Sequence, residues 1–163
     1  MRKALHYILI GIFLGLVLKL FVIDIPCIVG NSMEPTLHNQ EHVLVNKLAY
    51  GLVKPFASTR MTTWAHPQKG DIIVYMHDGD MVVKRCIAYS GMLLDFSSDS
   101  QYTLNVGGEK IPLTYEQFRL LNGIESVPEG CVFAVGDNYQ VSIDSRNYGF
   151  IPERDVLGKV IWK

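Results

Sequence analysis

A twenty-residue apolar run, from Ala4 to Ile23, is the feature that most constrains this chain. Within it only His6 and Lys19 are neither apolar nor glycine. A helix of this length extends about 30 Å, which matches the hydrocarbon core of a bilayer. Lys19 lies close to the far end, where its long side chain can reach the headgroups. The sequence therefore predicts one transmembrane helix followed by a domain in water.

The charges around this run predict its orientation. Arg2 and Lys3 precede it, and no lysine or arginine lies between Asp24 and Gln40. Because positive residues stay on the cytoplasmic side, we expect the amino terminus inside and everything from Asp24 onward outside the cytoplasm. A cleavable secretory signal is the alternative, since it also begins with basic residues. This apolar run is longer than the apolar region of a typical secretory signal, and no clean small-x-small cleavage site follows it.

Composition limits the rest of the chain to one ordinary domain. Residues 1–23 are expected to be the tail and anchor, and residues 24–163 are enough for one hydrophobic core but not two. The net charge of −1 offers no basic surface to neutralise phosphates, so we expect no nucleic-acid partner. Cys27, Cys86 and Cys131 are an odd number spread far apart, so at most one intrachain disulfide can form, and we expect buried free thiols instead.

Short runs of strand-forming residues, bounded by turn residues, dominate this domain. They span residues 42–47, 71–76, 81–88, 102–106, 131–135 and 156–162. One convincing helix is expected from Thr114 to Leu121, because Thr114 and Gln117 make a capping-box pattern before a group of apolar residues. The sequence therefore predicts a mainly β domain behind a single anchor helix.

A tight turn at Asp78-Gly79 predicts a β-hairpin, because it separates two runs of strand-forming residues. Lys84 then lies on the second strand of the hairpin. Since side chains alternate between the two faces of a strand, Lys84 should share its face with Val82, Cys86 and Ala88. These neighbours are small or apolar, and burial among them would disfavour the ammonium form and lower the pKa of the lysine.

Ser32 follows the anchor by nine residues, within the segment Gly30-Asn31-Ser32-Met33-Glu34-Pro35. A serine hydroxyl is a weak nucleophile unless a base removes its proton. The five histidines fall in no recognisable Ser-His-Asp pattern, so Lys84 is the better candidate for that base. An unperturbed lysine is neutral in only about 0.04% of molecules at pH 7, and this hypothesis therefore requires that burial lower its pKa.

A zinc site is the other chemistry to consider, because residues 38–42 fit an H-x-x-E-H metal motif. That motif needs a helix to bring both histidines to one face. Residues 38–42 instead lie between a Pro-Thr-Leu turn and a strand-like run. We therefore expect a polar loop there, with no metal and no cofactor.

Four sequence blocks stand in one order behind the anchor. They are Asn31 to Leu37, then Lys47 to Gly51, then His66 to Val74 with Val83-Lys84-Arg85, then Gly136-Asp137-Asn138 with Ser142 to Arg146 and Gly149 to Pro152. Together they resemble type I signal peptidase. The resemblance covers most of residues 16–162 and is weakest at about residues 91–128.

This resemblance implies a mainly β catalytic domain of the signal-peptidase type, with a small cap inserted at the weakly matching stretch. It implies that Ser32 is the nucleophile and Lys84 the general base. Ser142 would hydrogen-bond the lysine, and Asp144 and Arg146 would form a pair that holds the local geometry. The enzyme would cleave the signal peptides of exported preproteins at the outer face of a bacterial cytoplasmic membrane, in contact with the lipid bilayer.

Two departures from the family pattern lie near the expected dyad. Family members often carry a serine two residues before the nucleophile, where this chain has Gly30. Stabilisation of an oxyanion should then rely chiefly on the backbone N–H of Ser32, with Gly30 and Asn31 as supporting residues. The second departure is the loop after Lys84, at residues 86–92, which keeps only the glycine of the family pattern.

A substrate is expected to dock as an extended strand between the serine segment and the lysine strand. The residues expected to contact it are Ile28, Val29, Met33, Val82 and Val83. A preference for small residues before the cut is implied by the resemblance alone. A further set of large apolar residues is explained either by core packing or by contact with the bilayer. They are Tyr50, Leu52, Val53, Phe56, Trp64 and Trp162.

Other functions stay open at this point. A specialised peptidase of the same type, dedicated to one export, pilus or conjugation system, would suit the short cap and the altered loop after Lys84. An inactive membrane-anchored relative could act as an assembly subunit, although retention of all five expected site residues speaks against it. A self-cleaving Ser-Lys repressor would carry a DNA-binding domain where this chain has its anchor.

Overall fold

The computed structural model describes residues 2–54 and 59–163. It begins with a long apolar helix, α1 (Arg2–Val17), which continues directly into a π-helical turn (Leu18–Val22). The stretch Lys3–Val22 has a mean hydropathy of 2.3 and is not covered by any other described part of the chain. The apolar helix that the sequence predicts is therefore present, and its length and exposed surface suit a bilayer.

Twelve β-strands follow within the described residues, and we number them β1 to β12 in chain order. Their bounds are Ile23–Asp24, Leu44–Asn46, Gly51–Val53, Arg60–Thr63, Ile72–His77, Asp80–Tyr89, Asp95–Ser97, Thr103–Val106, Glu109–Pro112, Cys131–Val135, Ile151–Pro152 and Val156–Trp162. Seven strands form one antiparallel sheet in the order β1-β2-β12-β5-β6-β10-β11. Strands β3 and β4 form a second sheet, and β7, β8 and β9 form a third. The prediction of a mainly β fold behind one apolar helix is confirmed.

Short helices complete the described chain: α2 (Tyr115–Leu121), α3 (Ser145–Tyr148) and a 3₁₀ turn (Glu153–Asp155). The helix α2 begins where the capping-box pattern predicts it, because Thr114 and Gln117 exchange both capping hydrogen bonds, at 2.9 and 3.2 Å. The sequence does not predict β1, β3, β4, β7 or β11. These strands have only two to four residues each, too few to show an alternating pattern.

The hairpin β5–β6 forms at the predicted turn. Asp78 and Gly79 have φ angles of 51° and 89°, and positive φ at both positions lets a two-residue turn match the twist of its strands. The register places Ile73 opposite Lys84. Lys84 therefore lies on an interior strand of the large sheet, between β5 and β10.

A β-bulge in β6 interrupts the alternation of side chains that the sequence predicts for this strand. Ile87 is the extra residue, because Cys86 and Ala88 lie opposite consecutive residues of β10. Ala88 therefore packs in the same cluster as Ile87, whereas Cys86 and Val82 pack in another. The prediction that Ala88 shares the face of Lys84 is wrong, since the bulge turns the strand before that residue.

Within the residues that the structure describes, the hydrophobic core consists of three clusters. The first packs Leu104 of the three-stranded sheet and Leu121 of α2 against β6 and β10. The second lies around Cys86 and the middle of the large sheet. The third holds Met33 against Val74 of β5. This third cluster fixes the segment next to Ser32 on the large sheet.

The cysteines are free thiols, as expected, but they differ in burial. Cys86 is buried, Cys131 is half-buried and Cys27 is exposed. The prediction of burial is wrong for Cys27, because this residue forms an isolated β-bridge with His42 and its side chain is not enclosed by the core.

The six large apolar residues assigned above to core packing or bilayer contact differ in burial, and Leu52 among them is half-buried. Tyr50 and Val53 are buried, so core packing explains them. Trp64 and Trp162 are 57% and 69% exposed, as a surface in contact with lipid would require. Phe56 lies outside the described residues.

Replacing Thr114 with alanine should lower the free energy of unfolding by about 1 kcal/mol, because it removes the side-chain acceptor for the Gln117 N–H. The matched variant Thr114→Ser keeps the hydroxyl and should keep most of the stability. Urea unfolding of the full chain in detergent micelles measures both. Equal losses in the two variants would contradict the capping role.

Candidate active site

Ser32 lies at the end of a segment that is hydrogen-bonded to residues 39–41. The Ile28 N–H donates to the Glu41 carbonyl at 2.8 Å, and the Gly30 N–H donates to Asn39 Oδ1 at 2.9 Å. Gly30 has a φ angle of 95°, in the left-handed region that other residues rarely adopt. The backbone therefore turns sharply just before the serine.

On its other side Ser32 is bound to the loop after β10. The Asn138 N–H donates to the Ser32 carbonyl at 3.0 Å, and Asn138 Nδ2 donates to the Asn31 carbonyl at 3.2 Å. Met33 is buried in the core immediately after the serine. The N–H of Ser32 has no hydrogen-bond acceptor in the part of the chain that the structure describes. This N–H is therefore a donor available to a ligand.

Lys84 meets Ser32 directly: its Nζ lies 2.6 Å from Ser32 Oγ, within a hydrogen bond. The lysine is 5% exposed. Burial lowers its pKa, and the positive charge of Arg146 lowers it further, while the negative charge of Asp144 opposes the shift. The net result is a pKa below the ordinary lysine value. The structure thus brings Ser32 and Lys84, the nucleophile and base that the sequence predicts, into direct contact.

Asp144 and Arg146 form a fully buried ion pair beside the dyad. Arg146 Nε and Nη2 each donate to one carboxylate oxygen of Asp144 at 2.9 Å. The two side chains are 0% and 2% exposed. Asp144 also caps α3, since it accepts from the Arg146 N–H at 3.1 Å. Removing one partner of such a pair typically costs roughly 3–5 kcal/mol, because a buried charge is left alone.

Ser142 is bound to this pair, where the resemblance implies a hydrogen bond with Lys84. Its Oγ donates to Asp144 Oδ2 at 2.6 Å, and the Gly136 N–H donates to the same oxygen at 3.0 Å. No hydrogen bond joins Ser142 and Lys84 among the described side chains. The carboxylate is the stronger acceptor for the one proton that the Ser142 hydroxyl can donate.

Gly136 allows the closest approach in the site. A methyl group added there would lie 2.2 Å from Ser142 Oγ and 2.5 Å from the Ser32 carbonyl oxygen. Only glycine therefore lets the loops that carry these two residues meet. The sequence shows Gly136 only as the first residue of a Gly-Asp-Asn block, and nothing local reveals the contact.

A second ion pair, which sequence reasoning does not identify, ties the lysine strand to the same loop. Arg85 Nε and Nη2 donate to the two carboxylate oxygens of Asp137 at 2.8 and 2.6 Å. Arg85 Nη2 also donates to Thr36 Oγ1 at 3.3 Å. The signal in the sequence is the arginine next to Lys84, whose partner becomes evident only in the fold.

A cleft of about 230 Å³ leads away from the dyad, between the serine segment and β6. Its lining is Pro26, Cys27, Ile28, Val29, Ser32, Met33, Met81, Val82, Val83 and Lys84. All five residues expected to contact a substrate lie in this lining, and the fold adds three more. Val29 is 90% exposed, whereas Met33 is 1% exposed. The cleft is therefore open to solvent on one side and closed by the core on the other.

The H-x-x-E-H segment has no metal-site geometry. Residues 38–42 form a turn followed by a β-bridge through His42. Glu41 Oε2 accepts from the His38 N–H at 2.8 Å, so the carboxylate closes the turn. Within residues 2–54 and 59–163, no group of three or more His, Cys, Asp or Glu side chains is placed to hold a metal ion.

The arrangement provides the parts of a nucleophilic site. The Ser32 hydroxyl contacts the buried Lys84 amine, whose pKa is lowered. The backbone N–H of Ser32 has no acceptor among the described residues, and the cleft ends at Ser32 and Lys84. Such a site can form a covalent bond from Ser32 to an electrophilic carbon while Lys84 receives the proton.

The whole chain, residues 1–163, matches the family described as signal peptidase, peptidase S26. It is 33% identical to signal peptidase I of Bacillus caldolyticus, over 88% of this chain and 80% of that protein. It is 29% identical to signal peptidase IB of Staphylococcus aureus, over 100% and 91%. With signal peptidase I of Pseudomonas fluorescens the identity is 26%, over 93% and 68%.

Lys84 should titrate below the ordinary lysine value in the folded protein, and Asp144→Asn should lower its pKa further. The carboxylate charge stabilises the ammonium, so its removal favours the neutral amine. The introduced amide still offers one oxygen to Arg146. A ¹³C NMR titration of the lysine ε-carbon measures the change. Asp137→Asn is the matched control: Asp137 pairs with Arg85, so this substitution should leave the Lys84 titration unchanged. A higher pKa of Lys84 in the Asp144→Asn protein would contradict this account.

Proposed function

The chain belongs to the signal peptidase family, peptidase S26, as a membrane-associated serine endopeptidase that cleaves signal peptides from preproteins, and on that premise we propose that Ser32 and Lys84 are its catalytic dyad. The observation that carries this proposal is the 2.6 Å hydrogen bond between a buried amine and the serine hydroxyl at the end of the cleft. No other base contacts Ser32 Oγ in the described residues.

The reaction begins with transfer of the Ser32 hydroxyl proton to the neutral amine of Lys84. Ser32 Oγ attacks the carbonyl carbon of the scissile bond, and the resulting oxyanion collapses with cleavage of the C–N bond. The leaving amine takes the proton from the Lys84 ammonium, and an ester between the signal peptide and Ser32 remains. Lys84 then removes a proton from water, the hydroxide attacks the ester, and Ser32 regains its proton.

The oxyanion is proposed to bind to the backbone N–H of Ser32. This donor has no other acceptor among the described residues. Gly30 contributes no side-chain donor, and its positive φ places the backbone turn next to the serine. A single oxyanion donor is worth roughly 3 kcal/mol in the transition state, so this N–H should be a large part of the stabilisation.

Ser142, Asp144 and Arg146 are proposed to support the dyad rather than react. Asp144 holds the Ser142 hydroxyl and the Arg146 guanidinium in one buried network. Arg146 opposes part of the effect of the Asp144 charge on Lys84. The network therefore fixes the wall around the amine, while burial remains the largest influence on the pKa of Lys84 and lowers it.

The signal peptide is proposed to lie in the cleft as an extended strand. Ile28 and Val29 would line one side, Val82 and Val83 the other, and Met33 the floor. The main chain of the peptide would supply affinity, and shallow pockets would select small side chains before the cut.

The proposed location is a bacterial cytoplasmic membrane, with residues 1–23 as tail and anchor and residues 24–163 as the catalytic domain on the outer face. Arg2 and Lys3 before the apolar helix support this orientation. Residues 91–128, which include the three-stranded sheet and α2, are proposed to form the small cap.

Ser32→Ala and Lys84→Met should each lower precursor cleavage to background, because each removes one half of the dyad. Lys84→Arg should be equally inactive, since arginine stays protonated and cannot accept the proton. Lys110→Met, at an exposed lysine on β9, is the matched control and should keep full activity. Cleavage of a purified precursor, followed by sequencing of the products, measures all four. Near wild-type turnover by a folded Ser32→Ala or Lys84→Met protein would refute the dyad.

Protease added to intact spheroplasts should degrade the domain after Asp24, because the proposed orientation places it outside. A cytoplasmic marker protein should survive in the same sample until the membrane is broken. Immunoblotting with an antibody against the carboxyl-terminal residues follows the digestion. Protection of the domain in intact spheroplasts would mean that the orientation is inverted.

A further inference from the structure

One residue, Lys47, joins the end of the anchor helix to the sheet. Its Nζ donates to the Leu20 carbonyl at 2.7 Å, and its backbone N–H donates to the Val22 carbonyl at 2.9 Å. The last carbonyls of a helix have no partner within the helix, and they are costly to leave unpaired at the edge of a bilayer. Lys47 satisfies two of them and places a cation at the negative end of the helix.

Between the anchor helix and Ser32, the chain is hydrogen-bonded to residues 40–46, which follow the serine. Strand β1 pairs with β2, with Ile23 opposite Asn46. Beyond β1 the Val43 N–H donates to the Pro26 carbonyl at 3.1 Å, and the bonds around Ile28 follow. In the described residues no long unpaired linker separates the helix from the serine.

The same pairing connects the anchor to the base. Strand β2 pairs with β12, β12 with β5, and β5 with β6, which carries Lys84. The helix therefore continues into the edge of the same sheet that carries Lys84. Its strands advance about 3.3 Å per residue, so their register sets the distance from the helix end to the dyad.

We propose that Lys47 is a positioning residue: it holds the Ser32/Lys84 dyad at one height above the bilayer and thereby selects which bond of a membrane-inserted precursor is cut. This inference rests on the proposed function. The apolar part of a signal peptide lies in the same bilayer, so the scissile bond also has a set height. Without the Lys47 side chain, the attachment rests on the two-residue strand β1 and on the backbone bond from residue 47 to Val22, and the domain pivots on the helix.

The variant Lys47→Met keeps the length of the side chain and removes its donors. With a precursor inserted in phospholipid vesicles, kcat/KM should fall about tenfold and cuts at neighbouring bonds should appear, because small misplacement of reacting atoms is costly. With a short water-soluble peptide in detergent the same variant should match the wild type. Lys47→Arg keeps a donor and should recover most cleavage at the original bond.

Lys69→Met is the matched control. Lys69 also donates its Nζ to a backbone carbonyl, that of Gly107, at 2.8 Å, but this bond lies away from the anchor. Its loss should change neither the height of the dyad nor the bond that is cut. A general loss of stability would affect both lysine variants and both kinds of substrate.

The height itself can be measured without activity. Cys27 is exposed beside the dyad, whereas Cys86 is buried, so a nitroxide attached to Cys27 in a Cys131→Ala background reports one position. Relaxation by oxygen and by a water-soluble nickel complex gives its depth in vesicles. The wild type and Lys69→Met should show one narrow depth, and Lys47→Met a shifted or broader one.

A changed depth together with altered cut sites supports the inference. An unchanged depth in Lys47→Met overturns it, and so does a changed depth with an unchanged cut site. Equal losses on the precursor and the soluble peptide also overturn it, because they indicate a general structural role. A wild-type protein that cleaves neither substrate would refute the proposed function instead, while the depth measurement would still test the role of Lys47.

Discussion

The hydrogen bond between Lys84 Nζ and Ser32 Oγ can serve proton transfer only if Lys84 is buried, because a lysine serves as a base only when its ammonium form is disfavoured. The fold buries Lys84 by placing it on an interior strand of the seven-stranded sheet, where 5% of the residue is exposed. The serine comes from a segment 52 residues earlier. Met33 in the core and the bonds to Asn138 hold that segment in place.

The two charges beside the amine act on its pKa in opposite directions. A lone Asp144 would stabilise the ammonium and work against a neutral base, but Arg146 forms a bidentate pair with it at full burial. The carboxylate also occupies the Ser142 hydroxyl and the Gly136 N–H. One buried group thus orders three neighbours, while burial remains the main cause of the lowered lysine pKa.

The N-terminal apolar helix is bound to the same sheet as Lys84. The helix passes through a π-helical turn into β1, and Lys47 binds two carbonyls at its end. The exposed Trp162 lies on β12, which pairs with β2 near this junction. Under the role proposed for Lys47, this connection would give the Ser32/Lys84 pair and a membrane-inserted substrate one common reference plane.

The sequence alone determined the features whose signals are local: the length of the apolar run specified the N-terminal apolar helix, the Asp78-Gly79 turn specified the hairpin that carries Lys84, and the Thr114 capping box specified α2. The chemical types of Ser32 and Lys84, with the blocks around them, were enough to pair two residues that the fold brings into contact. Only the tertiary structure decided what depends on contacts between distant segments. The bulge that turns Ala88 away from Lys84, the closeness of Gly136 to Ser32, and the bond of Lys47 to the anchor leave no local trace. The sequence near each residue permits many pairings, and only packing of the complete domain selects one.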